Sequence, residues 1–311
     1  MSITEKRSFP PSAVLLIGIL AASTASIFIR FAQAEAPSIS IAAYRLSIAV
    51  LLLTPFVLIR HGKEVKQLQR RQLPVMLLAG LFLALHFGAW ISSLEYTSIA
   101  SSVVLVTTTP LWVALISTLF LREKLTQPIV IGLIIAMLGG VAVGAAESCA
   151  ITSGQFVCDF NREGLQNRTM IGNSLALFGA WMMAAYLVVG RKTRQSMPTM
   201  VYVYIVYAFA ALFLLLLCLV TAQPLIGFSN RFYLWVLLLA LFPQIIGHTS
   251  YNWALGYLPT TFVSIALLGE PIGTILLSFL LLNESPAFLE SLGAILLLIG
   301  IYLASRGSSQ K

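Results

Sequence analysis

The stretch Ser264-Ile265-Ala266-Leu267-Leu268-Gly269-Glu270-Pro271-Ile272-Gly273 lies inside an apolar run from about Thr260 to Leu282. A run of that length crosses a bilayer. A carboxylate near its centre costs roughly 2.5–3.5 kcal/mol on insertion scales. Pro271 removes a backbone donor beside the charge and loosens the helix there. Gly269 and Gly273 stand four residues apart, so a second helix can approach closely on that face. Charge, break and small residues together point to an internal cavity faced by Glu270, which binds a ligand or carries a proton.

Composition agrees with that setting. Of the 311 residues, 59% are hydrophobic and 10% charged, whereas a soluble chain averages about 25% charged. The formal charge of +8 sits in short clusters between apolar runs, a pattern of membrane topology and not of nucleic-acid binding. Apolar runs fall at about 13–31, 39–59, 73–95, 98–121, 128–146, 169–190, 199–221, 232–256, 260–282 and 286–304. The reading is an all-α integral membrane protein of ten transmembrane helices. With the N-terminus in the cytoplasm, 14 Lys and Arg lie on inside segments and 4 on outside segments, so both termini are expected inside. Lys6, Arg7 and the apolar stretch after them imitate a signal peptide. The run is longer than a usual signal core, is closed by Arg30 and has a counterpart in the second half, so cleavage is not expected.

A shift of 161 residues superimposes the halves. Pro110 falls on Pro271, Glu123 on Glu284, Gly132 and Gly139 on Gly293 and Gly300, and Gly18 on Gly179. Five spans per copy, an odd number, require the copies to be inverted in the membrane, the architecture of secondary transporters. The expected domains are a first repeat over 1–146, a periplasmic loop over 147–168 and a second repeat over 169–311.

Pro110 followed by Leu121-Arg122-Glu123-Lys124-Leu125 and Gly132, then Glu270-Pro271 followed by Asn283-Glu284 and Gly293, closely resembles the EamA-type transporters of the drug/metabolite transporter superfamily. Tyr44-Arg45 resembles that family's aromatic-Arg position. The likeness covers nearly the whole chain. It implies a basket-like bundle that moves small organic metabolites across the bacterial inner membrane, usually outward and often proton-coupled. The loop at 147–168 is longer than typical, and Asn283 stands where the family usually has Gly.

Several residues are candidates for binding or coupling, each with a plainer alternative. Glu270 lies about ten residues from either end of its span, hence ~15 Å deep; otherwise it is a structural carboxyl locking helices together. Arg45 either snorkels to the surface or is a fixed cation pairing with Glu270 or a substrate carboxylate. His86 and Trp90 share one helix face at i, i+4, with His248 at similar depth in the eighth span. Either histidine exchanges a proton near neutral pH or simply bonds a neighbouring helix. Trp181 and Tyr186 are the other aromatics chosen to line an apolar pocket. Pro110 and Pro271 are read as helix breaks, and the hydroxyls of Thr107-Thr108-Thr109 as caps for freed carbonyls or ligand donors. Glu95 belongs to a solvated helix end or a gate, and Glu123 and Glu284 to helix termini.

Cys149 and Cys158 share the outer loop and form a candidate disulfide in an oxidising compartment; Cys218 is packing. Asn167-Arg168-Thr169 fits a glycosylation pattern that a bacterial protein leaves bare. There is no Walker A motif, metal-ligand spacing or nucleophile elbow, so no enzyme activity, metal or cofactor is expected beyond a proton gradient. The expected partners are the bilayer and a small-molecule substrate, with the chain a monomer or homodimer. The function read from the sequence is a proton-linked exporter of amino acids or related amphipathic metabolites. The alternatives are a proton-independent exchanger or importer of the same fold, or a channel-like or structural membrane protein.

Overall fold

A bilayer leaves no water to satisfy backbone groups, so the apolar runs must close their hydrogen bonds internally, as helices. The computed structural model describes residues 10–121, 126–145, 149–152, 155–158, 163–194, 197–254, 257 and 269–308. Its helices are α1 (Pro11–Ser23), α2 (Ala25–Gln33), α3 (Ser38–Lys66), α4 (Leu73–Ser93), α5 (Ile99–Val106), α6 (Thr109–Leu121) and α7 (Gln127–Ala145). After a hairpin of β1 (Cys149–Thr152) and β2 (Gln155–Cys158) come α8 (Glu163–Arg194), α9 (Thr199–Val220) and α10 (Asn230–Leu239). A π-helical stretch, Ala240–His248, leads into α11 (Thr249–Ala254), followed by α12 (Gly269–Leu282) and α13 (Phe288–Ser308).

Among the described residues, six helices are long and apolar enough to cross a membrane: Pro11–Gln33, Ser38–Lys66, Arg70–Ser93, Asn167–Gly190, Thr199–Val220 and Asn230–Ala254. Four shorter apolar helices, Ile99–Val113, Val130–Val143, Gly269–Leu282 and Phe288–Gly300, overlap the remaining apolar runs of the sequence. Large apolar side chains such as Ile59 and Val220, each 83% exposed, cover the outer surface, the arrangement that lipid favours and water opposes. The hairpin is the one departure from an all-helical chain among the described residues.

Local chemistry sets the breaks. Thr24 separates α1 from α2, and its hydroxyl donates to the Ala21 carbonyl at 2.7 Å. Thr107 and Thr108 separate α5 from α6, with hydroxyls donating to the carbonyls of Val103 (2.9 Å) and Leu105 (2.7 Å). Pro110 follows in the first turn of α6, where its missing N–H costs little. Ser98 caps α5 by accepting from the Ser101 amide at 3.0 Å, and Ser229 caps α10 from the Arg231 amide at 3.1 Å. At the end of α12, Asn283 takes φ 53°, the left-handed conformation that glycine, and next asparagine, adopts at helix ends. The Glu284 amide then reaches back to the Ser278 carbonyl at 3.3 Å.

Packing runs helix on helix: α7 along α13, α4 along α8 and α9, α3 along α9, and α1 along the π-helical stretch. The α7–α13 seam is built on glycine. A Cβ at Gly139 would lie 2.7 Å from the Gly293 carbonyl oxygen, and one at Gly300 would lie 2.5 Å from that of Gly132. Gly132 thus meets Gly300 while Gly139 meets Gly293, so the two helices run antiparallel, backbone against backbone.

At one end of the bundle polar groups bind the connections together. Arg30 donates to the Leu94 carbonyl at 2.6 Å and lies 3.4 Å from Glu284, whose other oxygen accepts from the Ile99 amide at 2.7 Å. Glu290, 4% exposed, accepts from Ser98, from Ser101 at 2.5 Å and from the Ala287 amide at 2.8 Å. Glu95 is exposed and caps α3 through Ser38, accepting from its amide at 3.1 Å. Glu284 does hold a helix terminus, that of α5; Glu123 lies outside the described residues.

Candidate functional site: a cavity beside Glu270

Glu270 sits in the first turn of α12, half-buried. The helix that approaches its two flanking glycines is α1: a Cβ at Gly269 would lie 3.3 Å from Ile19, and one at Gly273 would strike Ser23. The Ser23 hydroxyl lies 3.3 Å from the Glu270 carbonyl oxygen, and Thr274 donates to the Ser23 carbonyl at 3.0 Å. Small residues there bring α1 and α12 close enough for Ser23 and Thr274 to bond to each other's helix backbone. Oε2 of Glu270 accepts from the Tyr251 hydroxyl at 3.4 Å, and the same hydroxyl lies 3.3 Å from the Gly18 carbonyl.

Glu270 and Tyr251 form one wall of a cavity with about 520 Å³ of empty space, its open mouth and the solvent in it included. His86 and Trp90 of α4, Met183 of α8 and His248 at the end of the π-helical stretch line it as well. The remaining wall is the α5–α6 break, contributed by Val106, Thr107, Thr109 and Pro110. Glu270, His86, Trp90, His248 and Pro110, singled out separately in the sequence, therefore share one site.

His86 Nδ1 lies 2.9 Å from the Gly179 carbonyl. A carbonyl only accepts, so Nδ1 carries the proton and Nε2 of the neutral ring is an acceptor. The His86 ring stacks on Trp90 at 6.0 Å and 13°, and His248 follows at 6.4 Å. The two histidines are 162 residues apart, one off the repeat, yet they are neighbours in space. Gly18 and Gly179 are strict equivalents under the 161 shift. Each gives its carbonyl to the opposite half, to Tyr251 and to His86 respectively.

Arg45 is fully buried. Its Nε donates to Gln244 Oε1 at 2.7 Å, and its guanidinium carbon lies 4.0 Å above the Phe87 ring and 5.9 Å from Trp90. It does not snorkel and makes no ion pair with Glu270 among the described residues. Tyr186 stands behind the cavity wall, its hydroxyl donating to Asn252 Oδ1 at 3.0 Å. Trp181 lies apart, 44% exposed and edge-on to Trp112 at 4.9 Å. Pro271 is buried just behind Glu270. Cys149 and Cys158 face each other in the hairpin register, and Cys218 is a buried free thiol. Among the described residues no group of three or more His, Cys, Asp or Glu is placed to hold a metal.

Gln244 was not singled out in the sequence, although an amide directly after Pro243 in an apolar run is a signal of the same kind as Glu270. Met183 and Val106 carry no such signal, because an apolar lining residue looks like any other lipid-span residue.

A bundle of apolar helices with a part-polar cavity between them is an arrangement that membrane transporters use. The EamA-like transporter family matches residues 11–144 and again 170–306, and the chain belongs to that family. An uncharacterized transporter of Archaeoglobus fulgidus is 23% identical over 287 residues, 91% of this chain and 93% of that protein. The uncharacterized transporter YyaM of Bacillus subtilis is 24% identical over 273 residues, 86% of this chain and 84% of its own length. The pseudopaline exporter CntI of Pseudomonas aeruginosa is 26% identical over 132 residues, 42% of this chain and 45% of its own. One protein with a solved crystal structure shares the fold at a TM-score of 0.63 and 21% identity, covering 94% of this chain and 96% of that one.

Proposed function

We propose that the chain is a secondary active carrier exporting small amphipathic metabolites, amino acids or related compounds, across the bacterial inner membrane in exchange for protons. The observation that carries the reading is the cavity itself. It joins the one carboxylate of an apolar run to two histidines and an aromatic ring, at the level where α5 gives way to α6 and α12 begins. Glu270 is the proton-carrying group, Trp90 and the apolar wall receive the body of the substrate, and the breaks at Pro110 and Pro271 allow the halves to rock.

Ten crossings in two inverted halves with both termini in the cytoplasm complete the reading. The antiparallel glycine seam, the twofold family match and the 14-to-4 bias of positive charge support it. The name of CntI as an exporter supports the outward direction. The test is counterflow of amino acids and related metabolites in liposomes containing purified protein. Saturable counterflow is expected, accelerated by an opposing pH gradient. Linear, unsaturable flux would overturn the carrier, and indifference to the gradient would overturn the coupling.

A further inference from the structure

Four nitrogen donors at the buried Arg45 and its neighbours, Arg45 Nη1, Arg45 Nη2, Gln244 Nε2 and Trp90 Nε1, have no close hydrogen-bond acceptor among the described residues. Arg45 and Gln244 are 0% exposed and Trp90 is 3% exposed. A buried donor left unpaired is costly, and more so when charged. Every unpaired atom in this group is a donor, so what completes it is an acceptor bearing negative charge. Gln244 is held in place because its oxygen already accepts from Arg45 Nε at 2.7 Å, and its amide nitrogen, which faces the Tyr207 hydroxyl, has a second N–H for a ligand. The Phe87 ring 4.0 Å below the guanidinium carbon holds the fork flat, with its outer nitrogens free.

We infer that Arg45, Gln244 and Trp90 form a carboxylate subsite behind the cavity wall, entered past Trp90, which belongs to both. The inference rests on the carrier reading and deepens it by naming one end of the substrate. A planar carboxylate matches the two outer nitrogens in bidentate geometry, and its single charge is balanced by the one guanidinium. Val106, Met183 and Pro110 then receive an apolar body, and Glu270 lines the same cavity. The substrate is an organic acid with an apolar body, and a cationic group on it would face Glu270.

The test uses the full-length protein in detergent and three probes, benzoate, phenylacetate and L-leucine, each compared with its primary amide by thermal shift. The acids are expected to raise the melting temperature and the amides not to. Arg45→Gln is expected to weaken acid binding at least about tenfold. Arg45→Lys, which keeps the charge and the fold but loses the fork, and Gln244→Leu are expected to weaken it less. Equal shifts from acid and amide, no shift from any acid, or undiminished binding by Arg45→Lys would each overturn the subsite. So would rescue of an unstable Arg45→Gln protein by Glu270→Gln, which would make the guanidinium the counter-ion of Glu270. Liposome counterflow separates this from the carrier reading. Acid binding without counterflow leaves the subsite and removes the carrier; counterflow of neutral solutes untouched by Arg45→Lys does the reverse.

Discussion

Tyr251 and Glu270 meet at 3.4 Å, and the tyrosine hydroxyl that makes this contact is shared with the Gly18 carbonyl at 3.3 Å. One proton serves two acceptors, one on α1 and the other on α12. Tyr251→Phe should therefore leave the fold intact while freeing the Glu270 carboxylate to rotate. Counterflow is expected to fall about tenfold or more, the worth of one hydrogen bond to a charged group. A wild-type rate would show that the tyrosine does not position Glu270.

Glu270→Gln keeps the size and polarity of the side chain but cannot exchange a proton. In liposomes containing this variant, counterflow is expected to persist and the response to a pH gradient to disappear, read with an entrapped pH dye. Retained acceleration by the gradient would assign the coupling to another group.

The glycine seam offers a matched pair of substitutions one residue apart. A Cβ at Gly139 would lie 2.7 Å from both the Gly293 carbonyl oxygen and the Leu297 amide nitrogen, whereas one at Gly140 has nothing within 4 Å. Backbone cannot swing aside as a side chain can, so Gly139→Ala should destabilise by about 1–3 kcal/mol. Gly140→Ala should be neutral or stabilise by up to about 1 kcal/mol through helix propensity. Thermal unfolding of the two variants in the same detergent checks both signs.

Glu284 serves two partners, Arg30 at 3.4 Å and the Ile99 amide at 2.7 Å. The ion pair is part-exposed and contributes little, while the amide at the start of α5 needs its acceptor. Glu284→Gln, which weakens the ion pair but keeps an oxygen for the amide, should cost less than about 1 kcal/mol, and Glu284→Ala about 1–2 kcal/mol. If the two variants melt alike, the cap is not the stronger bond.

Cys149 and Cys158 are direct partners in the register of the hairpin. One disulfide is expected, read as a mass change on reduction and alkylation. Because the loop it closes is short, its loss should alter protease sensitivity between the two cysteines and leave transport unchanged. Free thiols at both Cys149 and Cys158 in protein purified under oxidising conditions would exclude it.

How far the sequence reached can be followed residue by residue. The apolar runs were legible because a bilayer imposes both length and hydrogen-bond closure. Gly132, Gly139, Gly293 and Gly300 were legible as a repeat, and the structure adds that they touch one another. The faces of the helices were not legible, since a span that is apolar all round gives no periodicity by which to orient it. Trp181 and Trp90 are both mid-span tryptophans, yet one is 44% exposed and the other 3%. Arg45 in the sequence looked equally able to reach the surface or to stay within. Its burial is decided by Gln244 and Phe87, which are distant in the chain. His86 and His248 are neighbours in space, and His248 closes the π-helical stretch Ala240–His248, which has no clear signature in the sequence beyond Pro243.

The seam between α7 and α13 carries one last implication, and it concerns ancestry. Each glycine there rests against the backbone of the other half, so a bulkier residue in one copy is obstructed by its sister copy. Drift that would let the two halves diverge is checked at these positions by each half upon the other. At the cavity no such mutual veto operates, and there a carboxylate has arisen on one side, at Glu270, opposite the hydroxyl of Thr109 on the other.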